Sequence, residues 1–212
     1  MEILICSATE MEIAPLLHSH KVHIGGHTFN HSILGVGIMS ATYNLMERLQ
    51  LSKPDLLILA GIAGSFDPKL GPGTVMEVSS DLVADLGVLE NNSWLDLFDM
   101  RFLRKDEFPF TDAKLLNPKI WMIHNVLRVH GITVNQVSSS SSIIEQWRRK
   151  YNATIESMEG AAVHYVCLRK QIPFIHLRAV SNFVGERDKT KWNIPLAVEN
   201  LNRSIIEFVD QL

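Results

Sequence analysis

Three polar segments of the chain each follow an apolar run, at the point where a strand would end. They read SATEME at Ser7–Glu12, ESMEG at Glu156–Gly160 and SNFVGERDK at Ser181–Lys189. Carboxylates and amides at such corners suit a cleft better than a core, because ligands of open α/β sheets bind at the carboxyl ends of the strands. If the three corners meet at one sheet edge, they form an enzyme active site.

Two of the carboxylates have an evident chemistry. Glu159 opens a helix-period run, where free N–H groups and the helix dipole favour a negative charge. A fixed carboxylate accepts two hydrogen bonds, so the vicinal hydroxyls of a sugar are natural partners. Met158 beside it offers a soft apolar surface to the face of a ribose. In the first segment, Glu10 or Glu12 could activate a water molecule. The alternative for these glutamates is a structural role in the first turn of a helix.

Two glycine-containing segments also follow apolar runs. Glycines in Gly61–Ser65 would let the backbone approach a ligand closely. Gly35–Gly37 precedes a helix-period run but lacks the third glycine of a dinucleotide-binding fingerprint. The chain has no Gly-Lys-Ser/Thr phosphate loop, so hydrolysis of ATP or GTP is disfavoured.

The composition narrows the class of protein. The 212 residues are 46% hydrophobic and 20% charged, with a formal net charge of -3, which is typical of soluble globular proteins. No basic run indicates nucleic-acid binding, and no apolar stretch reaches membrane-spanning length. The amino terminus shows no signal-peptide pattern. We therefore expect a cytoplasmic protein that binds neither nucleic acid nor membranes.

The cysteines and histidines do not indicate a metal site. Cys6 and Cys167 lie in apolar runs and are expected to be buried thiols. Five of the nine histidines crowd one region but lack Cys or carboxylate partners at the usual ligand spacing. They are His18, His20, His23, His27 and His31. We expect neither a metal nor an organic cofactor.

The order of the secondary-structure elements predicts the fold. Runs rich in Ile, Leu and Val predict strands at Ile3–Ala8, Thr28–Val36, Leu56–Ala60, Thr74–Ser79, Thr133–Ser138, Thr154–Met158 and Phe174–Ser181. Helix-period segments predict helices at Ile38–Gln50, Pro118–His130, Ile143–Lys150, Gly160–Gln171 and Pro195–Leu212. This alternation predicts a single domain over 1–212, a three-layer α/β/α sandwich with a mostly parallel, twisted sheet. Asp85–Phe110 is expected to be irregular, as a lid, binding loop or interface arm, and Ser138–Ser142 to cap the next helix.

Together, these motifs resemble the nucleoside phosphorylase superfamily, and within it the methylthioadenosine/S-adenosylhomocysteine nucleosidase branch. The likeness covers nearly the whole chain in a consistent order. The futalosine hydrolase family is the most similar, through the three polar segments. Its members cleave hypoxanthine from futalosine in the alternative route to menaquinone. The resemblance implies a nucleoside phosphorylase-like fold, no cofactor, and a homodimer or larger homo-oligomer.

The resemblance also implies roles for individual residues. Glu12 matches the carboxylate that activates the attacking water, and Met158 with Glu159 matches the pair that contacts the ribose. Asn182 stands where adenine-cleaving nucleosidases carry an aspartate that serves the purine N7. Further substrate-binding residues are predicted at Gly64, Ile143 and Arg187.

The amide of Asn182 carries information about the base. Hypoxanthine presents acceptors at N7 and O6, whereas adenine presents an acceptor at N7 and a donor at its 6-amino group. Because an asparagine amide supplies donors, it fits the 6-oxopurine better. The mismatch with adenine would leave a buried polar group unpaired, at a cost of roughly 1–3 kcal/mol. The alternative is an asparagine that only forms the turn at the strand end.

Hydrolysis is favoured over phosphorolysis. A phosphorylase needs cationic donors for its phosphate, usually arginine. The corners at Ser7–Glu12, Gly35–Ser40 and Gly61–Phe66 contain no Lys or Arg, and a carboxylate in the first would repel phosphate. The benzoate carboxylate of futalosine calls for a cation, and the candidates are Arg187, Lys189, Arg101, Arg104 and Lys105. Two rivals stay open: a nucleosidase for methylthioadenosine, S-adenosylhomocysteine or inosine, and a nucleoside-binding protein without turnover.

Overall fold

Apolar runs of the sequence form a curled sheet, and helix-period runs cover it. The computed structural model describes residues 1–18, 26–91, 93–121, 123 and 126–212. The strands are β1 (Glu2–Ser7), β2 (Thr28–Ile33), β3 (Leu56–Ser65), β4 (Val75–Asp81), β5 (Gly87–Glu90), β6 (Ser93–Asp96), β7 (Leu115–Leu116), β8 (Leu127–Thr133), β9 (Ile155–Ser157) and β10 (Phe174–Phe183). The helices are α1 (Glu10–His18), α2 (Ile38–Leu51), α3 (Ser141–Tyr151), α4 (Gly160–Lys170) and α5 (Ile194–Val209).

Helices cover both faces of the central strands, which explains why those strands are almost continuously apolar. On β1, Ile3 and Ile5 pack in a core cluster with α1 and α5, whereas Leu4 and Cys6 pack in a second cluster with α2 and α4. All four side chains are at most 1% exposed. The predicted three-layer α/β/α arrangement is therefore confirmed. Cys6 and Cys167 are buried free thiols, as expected, and burial raises the pKa of Cys6 to about 12.

Strand β3 lies at the centre of the sheet. It runs parallel to β1 over Leu56–Leu59 and parallel to β10 over Leu57–Ser65, and it pairs antiparallel with β9 at its carboxyl end. The strand order β10-β4-β8-β9-β3-β1-β2 therefore closes on itself through the pairing of β3 with β10. Because β1 and β10 both run parallel to β3, their carboxyl ends lie at one edge, and the predicted corners at Ser7–Glu12 and Ser181–Lys189 lie there. The corner at Glu156–Gly160 instead spans the end of β9, which runs antiparallel to β3 and so reaches it from the opposite direction.

One stretch was assigned to the wrong elements. The strand predicted at Thr133–Ser138 lies earlier, at β8, and Leu127–His130 therefore cannot belong to the helix predicted at Pro118–His130; residues 122, 124 and 125 of that helix lie outside the described residues. The reason is tertiary packing. Val129 packs with β4 in one core cluster, and β8 pairs in parallel with both β4 and β9. Partners distant in sequence overrode a helix-like spacing of apolar residues.

The segment Asp85–Phe110 is less irregular than predicted. It contains the antiparallel hairpin of β5 and β6, which forms a small separate sheet. The hairpin docks on α3: the Trp94 ring meets the Trp147 ring edge-on at 5.5 Å, and the Trp94 indole N–H donates to the Tyr151 hydroxyl at 3.0 Å. The remainder of the segment consists of turns, with Phe102 largely exposed.

Two further expectations concern membranes and metals. Within the described ranges, no helix combines the length and apolarity that a bilayer span requires. The same ranges contain no group of three or more His, Cys, Asp and Glu side chains arranged to hold a metal ion. Of the five crowded histidines, His20 and His23 lie outside the described residues.

Because α2 packs on one face of the sheet, its buried and exposed leucines should contribute very differently to the free energy of unfolding. Leu45 is fully buried and Leu51 is 81% exposed. Leu45→Ala should lower the free energy of unfolding by about 2–5 kcal/mol, because it removes buried methyl groups and leaves a cavity. Leu51→Ala on the same helix should change it by less than about 0.5 kcal/mol. Urea denaturation followed by circular dichroism measures both, and equal losses would contradict this packing.

Candidate active site

Glu12 joins the start of α1 to the end of β3. Its Oε2 accepts hydrogen bonds from the backbone N–H of Thr9 at 2.9 Å and the Thr9 hydroxyl at 3.1 Å, and its Oε1 accepts from the N–H of Ile62 at 3.0 Å. The first contacts are those of a capping box, the structural role left open by the sequence. The contact to Ile62 goes beyond capping, because it directs a carboxylate only 4% exposed toward the carboxyl edge of the sheet.

Glu159 joins three elements. It precedes α4, but its side chain makes no hydrogen bond to the N–H groups of that helix. Instead, Oε1 accepts from the N–H of Gly37 at the start of α2, at 3.1 Å, and Oε2 accepts from Nη2 of Arg178 on β10, also at 3.1 Å. A purely structural helix-start carboxylate would turn to its own helix. The observed bonds place Glu159 between the corners instead.

Arg178 is the site residue that sequence reasoning missed. It is 1% exposed, and it donates from Nη2 to Glu159 and from Nη1 to the carbonyl of Ile62 at 3.2 Å. Gly61 faces this guanidinium, and a Cβ at Gly61 would collide with both Arg178 and Glu12. A glycine is therefore needed at the point where the base candidate and the arginine converge. The available signal was an arginine inside a largely apolar strand, since buried charges in proteins are almost always paired.

The presence of Arg178 corrects one argument from the sequence. The glycine and acidic corners do lack cations, but the neighbouring strand brings a guanidinium to them. One Nη donor of this guanidinium is engaged by Glu159 and another by the Ile62 carbonyl, so its charge is already paired with a carboxylate. Choosing between water and phosphate as the nucleophile therefore depends on the position of the Glu12 carboxylate, and no longer on an absence of positive charge.

Asn182 is half-buried near the carboxyl end of β10, opposite Gly64 in the strand register. A register shift between Val180 and Asn182 marks a β-bulge, a feature that re-aims side chains near sites. The amide Oδ1 accepts from the Ser181 hydroxyl at 2.7 Å, and Nδ2 donates to the Phe183 carbonyl at 2.9 Å. The amide oxygen is thus engaged, and the group presents its second N–H as a donor.

The remaining predicted residues, Met158, Ile143 and Arg187, differ in how deeply they are buried. Met158, next to Glu159, is half-buried, and Ile143 on the first turn of α3 is 42% exposed. Ser140 caps that helix by accepting the Ile143 N–H at 3.3 Å, as predicted for the serine run. Arg187 is exposed, with its guanidinium carbon 5.7 Å from the Trp192 ring centre. None of the contacts described for these three residues joins them directly to Glu12 or Asn182.

A third buried carboxylate belongs to the same signature. Glu156 is 6% exposed and accepts the Ser138 N–H at 3.0 Å through Oε1. Burial raises the pKa of Glu156 above its ordinary value, and the Ser138 bond opposes that shift. Since Glu156 pairs with Gly64 across β9 and β3, it ties the serine turn to the end of the sheet where Asn182 lies.

Taken together, the site contains a carboxylate aimed at the sheet edge, a second carboxylate paired with a buried guanidinium, and an amide donor. Arg178 and Asn182 both lie on β10, opposite Gly61 and Gly64 of the adjacent strand β3, whereas Glu12 lies on α1 and Glu159 directly before α4. Such an arrangement can bind vicinal hydroxyls, accept a proton from water and donate a hydrogen bond to a ring nitrogen.

Comparisons with known proteins identify the family. The model of the phosphorylase superfamily matches residues 8–210. A futalosine hydrolase of Acidothermus cellulolyticus is 29% identical over 190 residues, covering 84% of this chain and 75% of the relative. A 5'-methylthioadenosine/S-adenosylhomocysteine nucleosidase of Tolumonas auensis is 26% identical over 202 residues, covering 91% of this chain and 86% of the relative.

A solved structure confirms the fold. The 5'-methylthioadenosine/S-adenosylhomocysteine nucleosidase of Neisseria meningitidis, in complex with methylthio-immucillin-A, superposes with a TM-score of 0.82 at 18% identity. The match covers 100% of this chain and 99% of the other. The predicted nucleoside phosphorylase-like sandwich is therefore correct. Because the family model spans nearly the whole chain, the protein belongs to the phosphorylase superfamily.

Proposed function

We propose that this protein is a nucleosidase that hydrolyses the N-glycosidic bond of futalosine, releasing hypoxanthine and dehypoxanthine futalosine in the futalosine route of menaquinone biosynthesis. The observation that carries the choice of base is the Asn182 amide, whose oxygen is engaged by Ser181 and whose nitrogen remains a donor. Relatives named futalosine hydrolase and nucleosidase support the reaction class, a hydrolysis of N-glycosyl compounds.

The proposed mechanism assigns each part of the site a step. Cleavage passes through an oxocarbenium-like ribosyl group, as glycosyl transfer generally does. Glu159 accepts hydrogen bonds from the 2′- and 3′-hydroxyls and offsets the positive charge of the ring, while Met158 covers a face of the ribose. Asn182 stabilises the charge that accumulates on the departing purine. Glu12 takes a proton from the water that attacks the anomeric carbon.

Hydrolysis rather than phosphorolysis rests on the two carboxylates. Glu12 and Glu159 flank the Ile62 peptide, one through its N–H and the other through Arg178 on its carbonyl. A phosphate placed there would meet two carboxylates and a guanidinium already paired to one of them. A water molecule, by contrast, can donate to Glu12 without repulsion.

The far end of the substrate lies toward the loop after β10. Arg187 stands five positions after Asn182 on that loop, exposed and beside Trp192. We place the benzoate carboxylate of futalosine near Arg187, with Gly64 and Ile143 lining the path from the base. Lys189 on the same loop is the alternative cation.

Assembly and location belong to the same proposal. Several large apolar side chains are mostly exposed, among them Met39 at 86%, Tyr43 at 61% and Phe102 at 74%. Met39 and Tyr43 share α2, and burial of such residues between copies supports a homodimer or larger homo-oligomer. The cytoplasmic location and the single-domain organisation stay predictions.

A methylthioadenosine, S-adenosylhomocysteine or inosine nucleosidase remains the enzymatic alternative, supported by the 26% identical relative.

Base release from a panel of nucleosides tests the substrate. The kcat/KM for release of hypoxanthine from futalosine should exceed the kcat/KM for base release from inosine, methylthioadenosine or S-adenosylhomocysteine. Added phosphate should leave the rate of cleavage unchanged. Chromatography of the released bases measures all four. Faster adenine release would favour the methylthioadenosine alternative. Tight hypoxanthine binding without turnover would favour a nucleoside-binding protein.

Glu12→Gln tests the general base. The substitution keeps the shape of the side chain but removes the proton acceptor, so kcat should fall about 10²–10⁴-fold with little change in KM. Glu10→Gln is the matched control, since Glu10 is exposed in the same helical turn, and it should retain wild-type kcat. Full activity in the Glu12 variant would eliminate Glu12 as the base.

Asn182→Asp tests whether the side chain at position 182 determines which purine base is released. A carboxyl group replaces a fixed amide donor, so the ratio of hypoxanthine to adenine release should fall roughly 5- to 150-fold, in line with the loss or gain of one buried hydrogen-bond match of about 1–3 kcal/mol. The ratio within one variant is measured by competition between two nucleosides, which cancels differences in folded fraction. An unchanged ratio would show that residue 182 does not contact the base.

A further inference from the structure

A line of buried, hydrogen-bonded polar side chains leads from Arg178 to the Leu115 carbonyl. His176 on β10 and His164 on α4 are both fully buried. His176 precedes Arg178 by two positions on the same strand, and the residues between and before, Leu177 and Ile175, are apolar. Neither histidine contacts Glu12, Glu159 or Asn182 through a described bond. Their position requires an explanation, because apolar residues normally fill this layer.

The hydrogen bonds along this line have a fixed direction. Arg178 Nε–H donates to His176 Nε2 at 2.7 Å. Since arginine can only donate, His176 Nε2 must be unprotonated and its proton must sit on Nδ1. That proton goes to His164 Nε2, 3.1 Å away. The same logic puts the His164 proton on Nδ1, where it meets the Leu115 carbonyl at 2.9 Å.

Both imidazoles are therefore neutral. A second proton on His176 would point a ring N–H at the guanidinium, and a second proton on His164 would point one at His176. Burial lowers the pKa of His164 to about 4, and burial together with the charge of Arg178 lowers the pKa of His176 well below its usual value. The 3.9 Å approach of His176 Nδ1 to Asp81 Oδ2 is consequently a contact of a neutral ring, not an ion pair.

Asp81 closes the other side of the histidine. It is 1% exposed; Oδ1 accepts from the Leu82 N–H and the Thr133 hydroxyl, each at 2.8 Å. Its Oδ2 has no hydrogen-bond partner among the residues that the structure describes. A Cβ at Gly160 would collide with this oxygen and with the His176 ring. The start of α4, directly after Glu159, is thus seated on Asp81 and His176, so the histidine supports both members of the Glu159–Arg178 pair.

We propose that His176 and His164 are positioning residues that lock the guanidinium of Arg178 in the plane in which it holds Glu159 and the Ile62 carbonyl. The Nη groups of Arg178 serve the site, and Nε is the donor that faces away from it. Without an acceptor there, a buried N–H would be left unpaired and the guanidinium could turn away from Glu159. His164 acts one step further back by accepting the Nδ1–H of His176, which holds the His176 ring in place. This inference rests on the proposed function only in that Glu159 and Arg178 serve the reaction.

The first test uses no substrate. Long-range ¹H–¹⁵N NMR spectra of the ¹⁵N-labelled protein report which ring nitrogen carries the proton. Both buried histidines, assigned by comparing the spectra with those of His176→Phe and His164→Phe, should show the neutral Nδ1–H form between pH 6 and 9. An Nε2–H tautomer or an imidazolium at either position overturns the proposal. The result is independent of which nucleoside, if any, the protein cleaves.

The second test compares variants with the most active nucleoside. His176→Phe removes the acceptor for Arg178 and should lower kcat/KM about ten- to hundredfold. His176→Gln keeps an acceptor oxygen and should restore part of that loss. His164→Phe should give a smaller loss, because the Nδ1–H of His176 then lacks its acceptor while the bond from Arg178 to His176 Nε2 is kept.

Phe174→Leu is the matched control. Phe174 is 2% exposed and its ring lies 4.6 Å from that of His164, but it has no place in the line of polar bonds. It should lower the melting temperature while leaving kcat/KM within about twofold. Wild-type kcat/KM in His176→Phe, or no difference between the Phe and Gln variants, overturns the positioning role. Should the Phe variant not fold, the Gln variant and the wild-type tautomers still decide.

Discussion

The buried pair of Arg178 and Glu159 is the constraint around which the site is built. Their side chains are 1% and 5% exposed, and they meet at 3.1 Å. Burial of two charges costs more than their attraction returns unless the remaining hydrogen-bonding capacity is also filled. The fold fills it with the Ile62 carbonyl, the Gly37 N–H and His176. His176 lies on the same strand as Arg178, whereas Ile62 lies on β3 and Gly37 directly before α2, so satisfying the pair brings three separate parts of the chain together.

The order of the strands determines the distance between the two ends of the site. Because β3 and β10 are neighbours, Arg178 lies opposite Gly61 and Asn182 opposite Gly64. Arg178 and Asn182 therefore belong to one strand pair, and their separation cannot change without a shift in register. The bulge between Val180 and Asn182 adds one residue to β10 over that interval. Because the bulge follows Arg178, it sets the direction of the Asn182 side chain without changing the register of Arg178.

The sequence predicts the corners because they are local features. A carboxylate or amide just after an apolar strand is visible without knowing the neighbours, and this locates Glu12, Glu159 and Asn182. The role of Arg178 depends on which strands lie side by side, which a single sequence does not specify. The same limit explains the misplaced β8, whose apolar residues fit a helix or a strand equally well until β4 and β9 are known to flank it.

Asp81 is a buried carboxylic acid beside His176, and its protonation depends on that burial. Burial raises the pKa of Asp81 from 3.8 to about 7, with the charge of Arg178 opposing the shift and that of Glu159 adding to it. Its carboxyl group takes up a proton more readily in the folded protein than in the unfolded chain. Protonation of Asp81 thus favours the fold, and this contribution declines as the pH rises from about 4 through about 7. When Asp81 is neutral, the guanidinium faces one buried carboxylate and the cluster carries no net charge. Near pH 7, where Asp81 titrates, both histidines are neutral, because burial lowers the pKa of His164 to about 4 and that of His176 well below its usual value. The hydrogen-bond direction that fixes Arg178 therefore does not depend on the state of Asp81.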